Sequence, residues 1–385
     1  MTALHALGNG LAGTLLRQAV DARHTGRWEH ADATLRAMTR QPIAAHPDQV
    51  GLYHGAPAVA YALRAASRPA YQGLSDCLDD AVARITTQRL TAAERRLDAG
   101  RPPRMSEYDL ISGLTGLTAL LLYTGTSTDL LHRGLTYLTR LLTEPVAVDG
   151  TPVPGWWTTD SPRGIPDPAQ PTGHGNFGLA HGVTGPVALL ALAALAGHTV
   201  PGQLDALRHT IMLLTDWARP LSDGAGYAWP EHVTLDQWAA GPPPTARRTR
   251  PSWCYGSPGI TRALQITAQA TQDENLQRQA ETILTGCLTD PAQLDQLTDT
   301  SACHGWAGLI LTASHAAADA LPGSTLPDLL PDLQERFDTT VRNAPTSRAR
   351  GLLTGEDGVI LTRRIVPSTH LTDPAGWQTC LLLNA

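Results

Sequence analysis

Cys254 and Cys303 each open a hexapeptide with glycine at its third and sixth places: Cys254-Tyr255-Gly256-Ser257-Pro258-Gly259 and Cys303-His304-Gly305-Trp306-Ala307-Gly308. Two thiols remote in sequence but alike in local setting are suited to converge on one centre. With His304 they make a set of two soft thiolates and one imidazole, the ligand mix that zinc prefers. Three protein ligands leave one tetrahedral position open, the mark of a catalytic rather than a structural zinc. Two thiolates also balance the dication, so a substrate thiol bound in the open position loses its proton and still keeps the electron density to attack. The expectation is one Zn2+ per chain on Cys254, Cys303 and His304. Taken singly, each cysteine would read as a small buried hydrophobe and the histidine as a satisfied core residue. Equivalent placement in two motifs is what selects the metal. Cys77, Cys287 and Cys380 stand outside these motifs and are read as ordinary free thiols.

The two motifs belong to a longer series: GNGLAG at 8–13, YHGAPA at 53–58, ISGLTG at 111–116, AHGVTG at 180–185, CYGSPG at 254–259, CHGWAG at 303–308 and LTGEDG at 353–358. Only the second ends without glycine, at Ala58. The first glycines fall at 10, 55, 113, 182, 256, 305 and 355, spaced by 45, 58, 69, 74, 49 and 50 residues. Such periods suit a helical hairpin with variable loops. Aligned on that glycine, the series puts Gly8, Tyr53, Ile111, Ala180, Cys254, Cys303 and Leu353 in one slot. The next slot holds Asn9, His54, Ser112, His181, Tyr255, His304 and Thr354.

The elements that must position these residues follow from the composition around them. Apolar stretches such as LTALLLYTG and PVALLALAALAGH follow most motifs and read as helices without a wet face. Between motifs, stretches such as residues 129–143 and 274–289 read as amphipathic helices. Inner and outer helices therefore alternate, and the predicted fold is all-α: an α/α toroid of seven inner and seven outer helices over residues 1–385, with every motif at one mouth. An open solenoid has the same periodicity, but the uneven intervals and the lack of polar capping repeats favour closure. The Pro-, Gly- and Trp-rich excursions at 144–175 and 217–252 are too long for hairpin loops and are expected over that mouth or as a small appendage.

Composition narrows the partners. The 385 residues are 42% hydrophobic and 17% charged, with net charge −6, so no basic surplus is available for nucleic acid or anionic lipid. The N-terminus lacks a signal-peptide pattern, and the longest apolar run, 186–197, is too short to span a bilayer. A cytoplasmic protein that is not integral to the membrane is expected, of bacterial origin to judge from its abundant Ala, Arg, Pro and Leu.

On the seven motifs, YDLISGLTG at 108–116, GHGNFGLAHGVTGP at 173–186, RPSWCYGSPG at 250–259 and CHGWAG, the chain resembles the lanthionine synthetase C-like family, and within it the stand-alone cyclases of class I lanthipeptide biosynthesis. The resemblance covers nearly the whole length. It implies an α/α toroid with a catalytic zinc on Cys254, Cys303 and His304. The implied reaction adds cysteine thiols to dehydroalanine or dehydrobutyrine in a dehydrated precursor peptide, giving lanthionine or methyllanthionine rings. The family's other active-site positions correspond to Asp109, His181, Arg250 and Tyr255. His181 is then the candidate general acid, Asp109 its orienting carboxylate, and Arg250 a group that stabilises the enolate or positions the peptide. Duller roles compete: Asp109 as a helix cap, Arg250 in a loop ion pair, Tyr255 as a wall of the site. His54 is read as structural and His174 as a loop residue. The resemblance also implies transient association with a dehydratase and a transporter, and through them peripheral contact with the inner membrane. Where family members carry a small β-containing extension, this sequence offers only its two excursions. The competing readings are a non-catalytic scaffold for the dehydratase, transporter and precursor, and a zinc enzyme adding a thiol such as glutathione to another acceptor.

Overall fold

The apolar stretches that follow the glycine motifs form seven inner helices in the computed structural model, which describes residues 3–345, 349–366 and 376–384. They are α1 (Leu11–Thr25), α3 (Ala56–Ala66), α5 (Leu114–Thr124), α7 (Thr184–Leu195), α10 (Ser257–Thr271), α13 (Trp306–Ala318) and α15 (Glu356–Ile365). Alternating with them outside are α2 (Glu29–Met38), α4 (Gln72–Asp98), α6 (Thr128–Thr143), α8 (Gln203–Trp217), α11 (Glu274–Thr289) and α14 (Leu326–Asn343), while α9 (Leu235–Ala240) and α12 (Pro291–Leu294) are short connectors. The division follows side-chain character. In α7 every residue from Thr184 to Ala193 is buried, whereas in α6 burial is confined to one face that includes Leu131, Leu135, Leu138 and Leu142. Side-chain caps start two of the outer helices: Ser127 Oγ accepts from the Leu130 N–H at 3.4 Å before α6 and Asp273 Oδ1 from the Leu276 N–H at 3.0 Å before α11.

Each inner helix packs on the next, and α15 packs back on α1, so the array closes into a helical toroid rather than an open solenoid. The motif loops close the same circle by hydrogen bonds. Tyr53 O accepts from Leu7 N (3.0 Å), Ile111 O from Tyr53 N (3.3 Å), Ala180 O from Leu110 N (3.1 Å), Cys254 O from Ala180 N (3.3 Å), Cys303 O from Cys254 N (3.2 Å), Leu353 O from Cys303 N (2.9 Å) and Gly8 O from Leu353 N (2.8 Å). The slot inferred from sequence is thus a physical ring of backbone.

The glycines admit this close approach. A Cβ on Gly259 would stand 2.2 Å from the Trp253 carbonyl oxygen, and one on Gly308 2.2 Å from that of Ala302. Gly256, before α10, has φ 104°, a conformation that side chains disfavour.

The two excursions pair with each other. β1 (Val146–Val148) and β2 (Thr151–Val153) form one antiparallel pair, and β4 (Arg219–Pro220) and β5 (Tyr227–Ala228) another. β3 (His174–Asn176) joins the excursions by pairing with β6 (His232–Thr234), Gly175 opposite Val233. Trp156, Phe177, Trp217, Trp238 and Trp157 form a chain of ring contacts through this small assembly, edge to face at its two ends and stacked at 5.8 Å between Trp217 and Trp238. Because β3 leads directly into the fourth motif, the appendage sits at the mouth.

The expected seventh outer helix does not occur among the described residues. Residues 367–375 lie outside them, and the chain that follows, through the 3-10 turn Trp377–Leu381, runs inside the ring. Its carbonyls take up inward polar groups: the Tyr53 hydroxyl donates to Cys380 O (2.8 Å), Trp253 Nε1 to Leu381 O (2.9 Å) and Arg262 Nε to Leu383 O (2.8 Å). A buried arginine and two buried aromatics would otherwise be left with unsatisfied donors. No helix among the described residues is long and apolar enough to cross a membrane.

The packing yields a paired test. Helix propensity alone would make Gly259→Ala stabilising by about 1 kcal/mol, but the clash with Trp253 should make it destabilising by about 1–3 kcal/mol. Gly73→Ala in α4, where nothing lies within 4 Å, should instead be neutral or stabilising by up to about 1 kcal/mol. Urea unfolding of both variants measures the difference, and two changes of the same sign would contradict the close-approach role of Gly259.

Candidate functional site

The ring brings the two motif cysteines side by side. Cys254 is buried, Cys303 half-buried, and their thiols are close enough to interact. The partnership is unequal. The Cys254 thiol is pulled down to about 7, chiefly by the Cys303 thiol, with the Ser252 hydroxyl and the Arg250 charge helping against burial. Cys303 is pushed up, because the sulfur it faces already carries the charge. Ser252 Oγ lies 3.6 Å from Cys254 Sγ and also donates to the Tyr255 carbonyl, which fixes the tight turn before α10.

Arg250 forms no ion pair among the described residues, and its Nε is buried without a hydrogen-bond partner. Its charge falls instead on the two thiols, lowering both. The loop ion pair weighed from sequence is therefore absent among the described residues.

Asp109 and His181 form the second half of the site. Asp109 is 1% exposed, and its Oδ2 lies 2.6 Å from His181 Nδ1. A carboxylate only accepts, so Nδ1 carries the proton and Nε2 is the nitrogen left for other work. Oδ1 accepts from the Ser112 N–H at 2.9 Å. One carboxylate thus both caps the turn into α5 and orients the imidazole, combining the two roles that sequence left as alternatives. Tyr255 has its hydroxyl on Asn176 Nδ2 (2.9 Å) and its ring against Gly178, where an added Cβ would approach within 2.6 Å.

His304 is held differently. Its Nε2 is 3.3 Å from Asp299 Oδ2, and among the described residues no three His, Cys, Asp or Glu side chains come together as a metal-ligand group. The structure thus joins Cys254 with Cys303 and Asp109 with His181, and it sets His304 on Asp299 at the edge of a cavity of about 770 Å3 also lined by Ser301, Thr340 and Glu356. In the chemistry of its donors the set suits a soft dication: two facing thiols, one ionisable near neutral pH, and a histidine that follows Cys303 in sequence and stands 3.3 Å from a carboxylate.

Three contributors escape the sequence reading. Asp299, Asn176 and Ser252 each hold a candidate residue, and their only signal is nearness to a motif. His54, read as structural, lies within electrostatic range of Asp109 and His181, and burial lowers its pKa. His174, expected in a loop, lies instead in β3, paired opposite Thr234 and beside His232, and is pulled down to about 4, chiefly by burial.

A helical toroid with paired thiols and an oriented imidazole at its mouth defines the class, and relatives place it further. Residues 5–363 match the family described as lanthionine synthetase C-like protein, and the chain belongs to that family. It is 25% identical over 243 residues to the nisin biosynthesis protein NisC of Lactococcus lactis subsp. lactis, a match spanning 62% of this chain and 55% of that protein's length. In fold it resembles a solved structure described as nisin cyclase, with TM-score 0.73 and 20% identity over 98% of this chain and 92% of that one.

In protein stripped of metal by a chelator, iodoacetamide labelling of Cys254 should rise through a midpoint near pH 7. Cys303→Ala should move that midpoint upward by removing the thiol that stabilises the thiolate. Cys287 and Cys380, which burial pushes up to about 12, should stay unlabelled in the folded protein. A Cys254 midpoint indifferent to Cys303→Ala would contradict the pairing.

Proposed function

We propose that this protein is a zinc-dependent lanthipeptide cyclase, closing thioether rings in a dehydrated precursor peptide. The observation that carries the reading is the thiol pair of Cys254 and Cys303 at the mouth of the ring, flanked by Arg250, which has no ion pair among the described residues, and by the Asp109–His181 couple. Cys254, Cys303 and His304 would hold the metal. When bound, zinc would supply the positive charge that keeps a peptide thiol ionised near neutral pH. With Nε2 of His304 engaged by Asp299, Nδ1 is the nitrogen available to a ligand.

The reaction is an addition with nothing left over. The peptide thiol gives up its proton to the free Nε2 of His181, its sulfur bonds to the β-carbon of the dehydroamino acid, and the π pair moves onto the α-carbon and its carbonyl as an enolate. Arg250, which pairs with no carboxylate among the described residues, is suited to stabilise that oxygen. His181 then delivers a proton from Nε2 to the α-carbon while Asp109 stabilises the charged imidazole and keeps it oriented. Tyr255, fixed by Asn176, walls the site. In this reading the substrate is the precursor peptide, and the dehydratase that prepares it is the natural transient partner.

Metal analysis of the purified chain, coupled to alkylation of free thiols in a dehydrated peptide after incubation, tests the proposal. One zinc per wild-type chain, lost in Cys303→Ala together with thiol consumption, is the expected result. His181→Ala should retain zinc and lower ring formation by about 10^2–10^4. A metal-replete wild type that holds no zinc would favour a scaffold, and a zinc-loaded His181→Ala with unchanged ring formation would remove its acid role.

A further inference from the structure

Residues 376–384, which run inside the ring, are held there largely through their own backbone. The Tyr61 hydroxyl accepts from the Cys380 N–H (3.0 Å) and donates to Trp377 O (2.9 Å). The Tyr53 hydroxyl donates to Cys380 O, Trp253 Nε1 to Leu381 O and Arg262 Nε to Leu383 O. Tyr61 lies in α3, which packs on α1 and α5, whereas Arg262 lies in α10, which packs on α7 and α13. The segment therefore spans the lumen between helices that are not neighbours round the circle. Trp377, Leu381 and Leu383 are no more than 1% exposed, so its side chains fill the space its carbonyls cross.

Two of these bonds reach the thiol pair. Trp253 directly precedes Cys254, and Tyr53 is near enough to Cys303 for the two to interact electrostatically. The main chains of the two cysteines are already tied by the bond from Cys254 N to Cys303 O. One hydrogen bond still lets the loop swing about it, and a swing moves the sulfur more than the backbone. The Trp253 indole, anchored on Leu381 O in another direction, removes that freedom. The Arg262 bond secures the segment at Leu383, two residues further on.

We propose that residues 376–384 are a positioning element for the thiol pair: the Leu381 and Cys380 carbonyls, by holding the Trp253 indole and the Tyr53 hydroxyl, fix how Cys254 and Cys303 face each other. This deepens the reading of the two thiols as the working centre of the enzyme and rests on it, while requiring no contact between the segment and the reacting atoms.

The test uses the full chain, stripped of metal, and p-aminophenylarsine oxide. The arsenical exchanges its oxygen for two As–S bonds with release of water, so it binds tightly only where two thiols face each other. Competition against a small dithiol, read by intact-mass spectrometry, gives its affinity for each folded variant. Trp253→Phe deletes the indole donor, and Leu381→Ala loosens the segment where it meets the thiols. Both should weaken arsenical binding by about tenfold, the loss expected when one buried hydrogen bond no longer fixes the pair. Leu383→Ala removes the same buried volume at the Arg262 end, and it should lower stability to urea as Leu381→Ala does yet leave the arsenical affinity unchanged. Leu381→Val takes the place of Leu381→Ala if the latter does not fold. Unchanged affinity in Trp253→Phe or in the Leu381 variant, an equal loss in Leu383→Ala, or wild type that does not bind the arsenical would overturn the positioning role. Zinc content and ring formation measured in parallel separate the two claims. Wild type that binds the arsenical but neither zinc nor substrate contradicts the cyclase reading and leaves the segment's role, whereas a ring-forming enzyme whose arsenical affinity ignores these substitutions does the reverse.

Discussion

Backbone hydrogen bonds from one motif loop to the next, running from Leu7 and Tyr53 round to Leu353 and Gly8, are the constraint on which the rest of the molecule depends. Each bond requires two loops to approach within carbonyl-to-amide distance at the start of an inner helix. A side chain larger than hydrogen at Gly259 or Gly308 would occupy the space of the preceding carbonyl. The circle also sets the chemistry, because Cys254 and Cys303 are adjacent members of it and share the bond from Cys254 N to Cys303 O. Their thiols meet because their backbones are already tied. The chain end inside the ring reinforces this arrangement by accepting the Trp253 N–H, one residue from Cys254.

Burial and charge act together at the mouth. Desolvation opposes ionisation of both thiols, yet Cys254 ionises more easily than a free cysteine, since the partner thiol and the Ser252 hydroxyl stabilise the sulfur and Arg250 supplies unspent positive charge. Asp109 is kept almost wholly from water but has both oxygens engaged, one by backbone and one by imidazole. A buried carboxylate with two good partners is held firmly in place, and it fixes both the tautomer and the direction of His181. The candidate site is therefore organised by groups that hold its thiols and imidazoles, and Asp299 on His304 belongs with them.

Much of this was legible in the sequence because the signal repeats. The glycine spacing located every inner helix, and the alignment on the first glycine placed Cys254, Cys303 and His181 in slots that the ring confirms as neighbours in space. What was not legible depends on tertiary closure. The strands of the excursions are two or three residues long, too short for an alternating pattern, so the β3–β6 pairing had no sequence signal. The return of residues 376–384 into the ring leaves no periodicity either, since their role is to present carbonyls rather than side chains. The orientation of His304 depends on a carboxylate, Asp299, in the loop before its motif. An Asp there reads as a turn residue until the loop is folded.

The proposed function requires Cys254, Cys303 and His304 to converge on one metal. A crystal structure of zinc-loaded protein with anomalous data collected across the zinc edge tests it most directly. The account predicts one anomalous peak at about 2.3 Å from both sulfurs and about 2.0–2.1 Å from a His304 nitrogen. A peak elsewhere, or none with His304 still on Asp299, would contradict it.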